Sequence, residues 1–357
     1  MKRISYLLMS VMCASILFTS CSTDDDSSYT VPDTYTFTDD DGNSTVSYSG
    51  QTARKDMLGE ITTYMKTGNS GAVLDAQEMK NMYANDVNGT DYFSYSSKDL
   101  KSKTGNGRPD ATNIQAYFET LMDGLAAASS GTDGEIIDGY LQSSTTGQEW
   151  VQLIEKGLMG ACFHHNISTY YLGADKMNVD NTTPEEGEYY TEMEHHWDEA
   201  YGYFTDDDYD GERFWSKYAG GSREALLGTQ TALYEAFRTG RAAISADDMD
   251  TRDEQISVIR EYMELAVGGT AIYYLNKGYA NLSAGDPVGV KNHHLAEAEA
   301  FIHGLKFGGE PSFSGVEIDD MMSAMSNYNN LSGEDILSIR NQIATGLGIS
   351  DSDRDNL

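Results

Sequence analysis

Repeatedly in this chain a Ser or Thr is followed three residues later by an acid or Gln. That spacing is the capping box: the first side chain accepts from the N–H of the third helical residue, whose own side chain reaches back to the cap. The pairs are Thr112 and Gln115, Thr146 and Glu149, Thr183 and Glu186, Thr251 and Glu254, Ser314 and Glu317, and Ser332 and Asp335. Pro184 after Thr183 is a favoured first helical residue, and Ser222 reads as a further cap. Apolar residues then recur at threes and fours, as in Ile256, Ile259, Met263, Val267, Thr270 and Tyr274. The pattern predicts helices over 52–67, 73–84, 111–128, 147–173, 184–204, 223–245, 252–282, 293–306, 316–327 and 333–346. Five prolines in 357 residues agree with long helices.

The expected fold is therefore all-α. The helices should form two packed bundles over 52–204 and 223–350, inside one helical domain spanning 35–357. Residues 147–173 are apolar nearly all round, which places that helix centrally. Tyr35 to Thr38 and Thr45 to Tyr48 alternate β-formers around Asp39-Asp40-Asp41-Gly42-Asn43, which predicts a small N-terminal β-hairpin over 35–48. Loops at 85–110, 130–145 and 205–221 are long enough to carry function.

The N-terminus gives an address. Lys2-Arg3, the apolar run Ile4 to Phe18, and small residues before Cys21 form a lipoprotein signal over 1–20. Cys21 is the expected lipidated anchor, and 21–34 is an acidic, Ser-rich tether. The run Ser22-Thr23-Asp24-Asp25-Asp26 resembles surface-export signals of Bacteroidetes lipoproteins. The expected location is the outer membrane, facing the periplasm or the cell surface. The formal charge is −33, and such a field repels nucleic acid and anionic lipid headgroups while favouring cations. With Cys13 in the signal and Cys21 on lipid, Cys162 has no partner for an internal disulfide and reads as core.

Several strings resemble a Bacteroidetes lipoprotein family, domain-of-unknown-function family 4856. They are Val31-Pro32 with Tyr35-Thr36-Phe37, Ser49-Gly50-Gln51-Thr52, Glu155 to Ala161, Met193 to Tyr203, Gly240 to Ile244, and Arg252 to Gln255. The resemblance implies a lipidated, mostly helical protein of unknown activity. Such proteins look similar in helical layout to imelysins, iron-regulated proteins of paired helical bundles. The imelysin motif Gly-x-His-x-x-Glu is absent: Glu194 and Asn292 stand where Gly would precede His196-x-x-Glu199 and His294-x-x-Glu297.

Six of the seven histidines are paired, as His164-His165, His195-His196 and His293-His294. On a helix over 184–204, Tyr189, Met193, Trp197, Ala200 and Phe204 form an apolar stripe, with His196 beside it and His195 turned away. Glu192, His196 and Glu199 form a ladder along that flank. On 293–306, His294 is the inward candidate and His293 faces out. One expectation is a metal site, iron or zinc, built from His196, Glu192, Glu199 and His294, with His165 as a further candidate ligand. The other is that each inward histidine bonds a nearby carboxylate and serves packing. Asp206-x-Asp208-x-Asp210-Gly211 matches the first half of a calcium loop, which Glu212 would help to close. Lys217 stands at the twelfth position, so a solvated acidic loop is the competing reading.

No catalytic residue is assigned. The expected function is a non-enzymatic binding or accessory protein in iron or metal uptake, beside an outer-membrane receptor or another lipoprotein. A metal-dependent hydrolase on the same His and Glu residues, and a helical scaffold for a receptor, are the competing classes.

Overall fold

The computed structural model describes residues 29–357. The expected signal, the Cys21 anchor and most of the tether lie outside the described residues. The chain is mostly helical. Its helices are α1 (Ser49–Lys66), α2 (Ala76–Ala84), α3 (Ala111–Ser129), α4 (Trp150–Leu158), α5 (Ala174–Met177), α6 (Glu192–Phe204) and α7 (Phe214–Ala219). There follow α8 (Ser222–Leu227), α9 (Thr229–Ser245), α10 (Met249–Ala284), α11 (Val288–Gly304), α12 (Gly315–Ala324), α13 (Gly333–Gly346) and α14 (Asp351–Asn356). Among the described residues, none of them is long and apolar enough to cross a membrane.

The capping pattern finds the helices better than it finds their first residues. Ser314 with Glu317 and Ser332 with Asp335 form complete capping boxes. The expected start at Thr183 moves to Thr191, whose box partner is Glu194. Residues 184 and 191 instead face each other in an antiparallel bridge, so Tyr189 lies before the helix and is exposed. The helix expected from Thr251 starts after Asp248, whose side chain accepts from the Thr251 N–H.

The small β-hairpin lies at β1 (Gly134–Ile137) and β2 (Tyr140–Ser143), inside the expected loop 130–145. Asp138 and Gly139 both have positive φ, at 52° and 90°, the conformation of a two-residue hairpin turn. The segment 35–48, expected to be the hairpin, makes a single bridge, Thr38 to Ser44. The Asp39 N–H donates to Asn43 and the Thr45 N–H to Phe37 within the segment, while other polar groups face the helices. The Tyr35 hydroxyl and the Ser47 N–H donate to Asp198, and Arg241 donates to the Thr45 carbonyl. Backbone groups used this way are not left for a ladder.

The core is continuous through the helices. α10 packs along α9, α11 and α13, and α4 lies against α11 and α3. Trp197 of α6 is fully buried and donates its indole N–H to the Phe237 carbonyl of α9. Gly240 makes this contact possible, since a Cβ there would lie 2.1 Å from the Trp197 ring.

Candidate functional site

The expected central helix 147–173 is present, but only its first half is an ordinary α-helix. From Met159–His164 and again over Asn166–Tyr171 it widens into π-helical turns. A wide turn leaves carbonyls that the helix itself does not satisfy well. Here the rest of the fold supplies donors. Trp215 donates to the Met159 carbonyl at 2.8 Å, and the Gly105 N–H donates to Ala161 at 2.9 Å. The Asn166 amide donates to Cys162 at 2.6 Å. Arg260 donates to Ser168 and Leu172, both at 3.0 Å. Such turns recur at functional sites.

The last wide turns border a cavity of about 420 Å³. Its lining includes Asn106 and Arg108 from the long loop before α3, His165, Thr169 and Tyr170 from the wide helix, and Lys176 from α5. His165 is 1 % exposed. Its Nε2 donates to the Asn106 carbonyl at 2.7 Å, which makes Nδ1 an acceptor. Burial holds the ring neutral, pushing its pKa down to about 4. His165 Nδ1 and Asn106 Oδ1 are both buried without a hydrogen-bond partner. Arg108 is fixed by Asp110, at 2.9 and 3.2 Å, and by the Phe307 ring.

Behind the cavity runs a polar chain. The Lys176 ammonium donates to His196 Nε2 at 3.2 Å and lies 5.6 Å from the centre of the Tyr170 ring. With Nε2 accepting, His196 Nδ1 donates to Glu199 at 3.3 Å. Glu199 also accepts from Gln51 and Tyr171, each at 3.0 Å. Burial alone would raise the Glu199 carboxyl, but these bonds and the nearby His195 outweigh it, lowering the pKa to about 2.

The expected ladder of Glu192, His196 and Glu199 thus forms, but as a chain of polar contacts. Glu192 approaches Nε2 at 3.5 Å and Glu199 approaches Nδ1. Carboxylates on opposite ring nitrogens do not converge on one ion. Among the described residues, no group of three or more His, Cys, Asp or Glu side chains is arranged to hold a metal. His165 bonds Asn106 rather than His196. His294 lies elsewhere, its Nδ1 against Asn281 at 2.7 Å.

In the last histidine pair the roles expected of the two rings are exchanged. His293 is the one held by carboxylates, with Nδ1 2.7 Å from Glu149 and Nε2 3.6 Å from Glu297. It stacks on Tyr140. The acidic loop at 205–213 is sewn to α1. Asp208 pairs with Lys55 and Arg213, both at 2.9 Å, and accepts from Thr52. Asp206 accepts from Tyr234, while Asp210 and Glu212 are exposed. The two cations on Asp208 take the place expected for calcium. Cys162 is fully buried, and burial pushes its thiol up to about 12, which fits core rather than nucleophile.

The family model for a domain of unknown function, DUF4856, matches residues 32–350. The chain belongs to that family. No curated protein and no solved structure matches it. The family description carries no activity, so the site has to be argued from its own chemistry.

Sequence reasoning named His165 but gave it the wrong neighbours, and it missed Asn106, Arg108 and Lys176. Asn106 and Arg108 fall in the loop 85–110, whose length was the available signal. Lys176 gave none, because it lies on a four-residue helix.

Proposed function

We propose that this family member is an envelope-anchored, non-enzymatic binding protein whose small polar ligand sits in the cavity between Asn106 and the wide helix. One observation carries the reading: two buried acceptors, His165 Nδ1 and Asn106 Oδ1, have no protein donor and belong to residues that line the same cavity. An unmet buried polar group costs about 1–3 kcal/mol, and this fold keeps two of them beside one cavity. The wide turns that set His165 there are held by four hydrogen bonds from outside the helix, given by Gly105, Trp215 and Arg260. The address is the one expected from the sequence: the signal over 1–20 and Cys21 support a lipid anchor, and the acidic run after Cys21 supports the outer membrane. A receptor or another lipoprotein beside it would take the ligand onward.

Binding rather than catalysis is the better fit to the titrating groups. His165 is neutral across the physiological range, and Cys162 stays a thiol. Metal uptake is the weaker form of the reading, because Lys176 occupies the His196 nitrogen a metal would need.

The test is a screen of small polar molecules by saturation-transfer NMR on the purified protein and on Asn106→Leu, which keeps the branched shape and removes the side-chain amide. The expected result is a set of binders that Asn106→Leu weakens. Binders indifferent to that substitution, or none at all, would overturn the proposal. Elemental analysis of the same samples tests the metal form: stoichiometric iron or zinc, lost in His196→Ala, would restore it.

A further inference from the structure

Beyond the cavity at His165, we infer that the outer face of α1 is a second binding site, for a neutral oligosaccharide. Two of the three long loops in the sequence meet there, 85–110 and 205–221, and each brings an exposed tyrosine. Tyr95 is 50 % exposed and Tyr209 is 54 % exposed. Of the chain's 24 tyrosines, only Tyr189 is also exposed among the described residues. Rings left in water are the informative departure on a fold that buries its other aromatics. Asp56, Gly59, Glu60 and Thr63 recur at threes and fours on α1, so they share one face. The Tyr95 hydroxyl donates to Glu60 at 3.0 Å. Arg213 pairs with Asp56 and lies 4.5 Å from the centre of the Tyr209 ring. A cavity of about 370 Å³ opens over this face, and Gly59 leaves room where a side chain would stand.

The polar groups offered to a ligand are acceptors at the surface. Asp56 gives one carboxylate oxygen to Arg213 and Glu60 gives one to Tyr95, which leaves Asp56 Oδ2 and Glu60 Oε2 without a bond. Both side chains meet solvent, that of Asp56 by 43 %. The Thr63 hydroxyl donates to the Gly59 carbonyl and keeps its oxygen for accepting. Lys55 and Arg213 line the same cavity, but their charged ends are spent inside the protein. Lys55 donates to the Thr205 carbonyl and Asp208, and Arg213 donates to Asp56 and Asp208. Exposed acceptors call for hydroxyl groups, and the negative face of a tyrosine ring calls for C–H groups. A pyranose ring presents both. With Asp56 and Glu60 about 6 Å apart along the helix axis and a tyrosine beside each, the site takes linked sugar rings rather than one. An organic cation fits less well, because Arg213 already stands at Asp56 and on the Tyr209 ring. An acidic sugar would meet two carboxylates whose neighbouring cations are paired, in a chain of charge −33.

The experiment is an array of neutral and acidic oligosaccharides probed with the purified protein, followed by isothermal titration of the best neutral binder beside choline. A neutral oligosaccharide should bind, and Tyr209→Ala and Tyr95→Ala should each weaken it about three- to tenfold, the worth of an aromatic contact. Tyr209→Phe, which keeps the ring, should retain most of the affinity. Glu60→Ala should weaken binding about tenfold by removing an acceptor. All three positions are at the surface, and melting curves on each variant confirm that it is folded. Asn106→Leu should leave the affinity unchanged. An array without a neutral binder, tighter binding of choline or of acidic sugars, or a neutral binder that ignores both alanine variants of the tyrosines would overturn the inference. A sugar that responds to Asn106→Leu instead belongs to the cavity at His165, in which case this inference falls and the earlier reading stands.

Discussion

The wide helix around His165 and the seam between α4 and α11 around His293 use the same residue types inside one fold. Their hydrogen bonding differs. His293 has a carboxylate at each ring nitrogen, Glu149 at 2.7 Å and Glu297 at 3.6 Å, and its face lies on Tyr140. Nothing about that ring waits for a ligand. His165 has one nitrogen on the Asn106 carbonyl and the other on no protein donor. The first arrangement is closed and belongs to stability. The second stands beside a cavity and, on the function proposed above, belongs to binding. Residue type does not separate the two, and the count of satisfied lone pairs does.

Substitutions can break this contrast. The largest effect is expected from Glu149→Ala. Glu149 is fully buried, and removing it strips His293 of its nearer partner. Loss of one member of a buried pair costs about 3–5 kcal/mol, which urea unfolding would read, with ligand binding unchanged. A cost below about 1 kcal/mol would mean that the seam is not closed by this pair.

Next comes a pH effect of opposite sign in the two regions. Burial pushes the Glu299 carboxyl up to about 7, against hydrogen bonds from Tyr328 and Gln148. A raised carboxyl favours the folded state when protonated, so its contribution is complete below the unfolded value near 4.5 and is lost as pH rises towards 7. Glu199, lowered to about 2, contributes above about 4.5 and loses that contribution as pH falls towards 2. Glu299→Gln should therefore remove a fall in stability on the order of 3 kcal/mol between pH 4.5 and 7, and Glu199→Gln should leave that window unaltered. Stability curves of the two variants against pH check the signs.

A smaller cost follows from Arg260→Met. It removes donors from the Ser168 and Leu172 carbonyls at the end of the wide helix. About 2 kcal/mol of stability should be lost, and binding at the cavity should weaken with it. The smallest effect on stability is expected from Asn106→Leu. Its Oδ1 has no bond to lose, so unfolding should move by less than about 1 kcal/mol while binding falls.

Much of the fold was legible. Periodicity located α1, α3, α10 and α13 to within a few residues, because each buries an apolar face over several turns. The two-stranded ladder was legible too, in Asp138-Gly139 between Ile136-Ile137 and Tyr140-Leu141, but the acidic turn at 39–43, which closes only a one-bridge hairpin, drew the assignment there. Helix starts slipped where another side chain served as cap, as Asp248 does for α10. The site was less legible. Helical spacing assumes 3.6 residues per turn, and the π turns from Met159 onward change which face each residue occupies. No local pattern in the sequence announces them, since their carbonyls are met by Gly105, Trp215 and Arg260 from far along the chain.

The central claim is that His165 faces a ligand site and His293 does not. Two-bond nitrogen–proton NMR of the imidazole rings reads it directly, since each ring nitrogen reports its own proton and partner. In the free protein, His165 should be neutral with its proton on Nε2. Adding a screened binder should move His165 Nδ1 and leave both His293 nitrogens in place. A His165 spectrum that ignores every binder, or a shift confined to His293, would contradict the account.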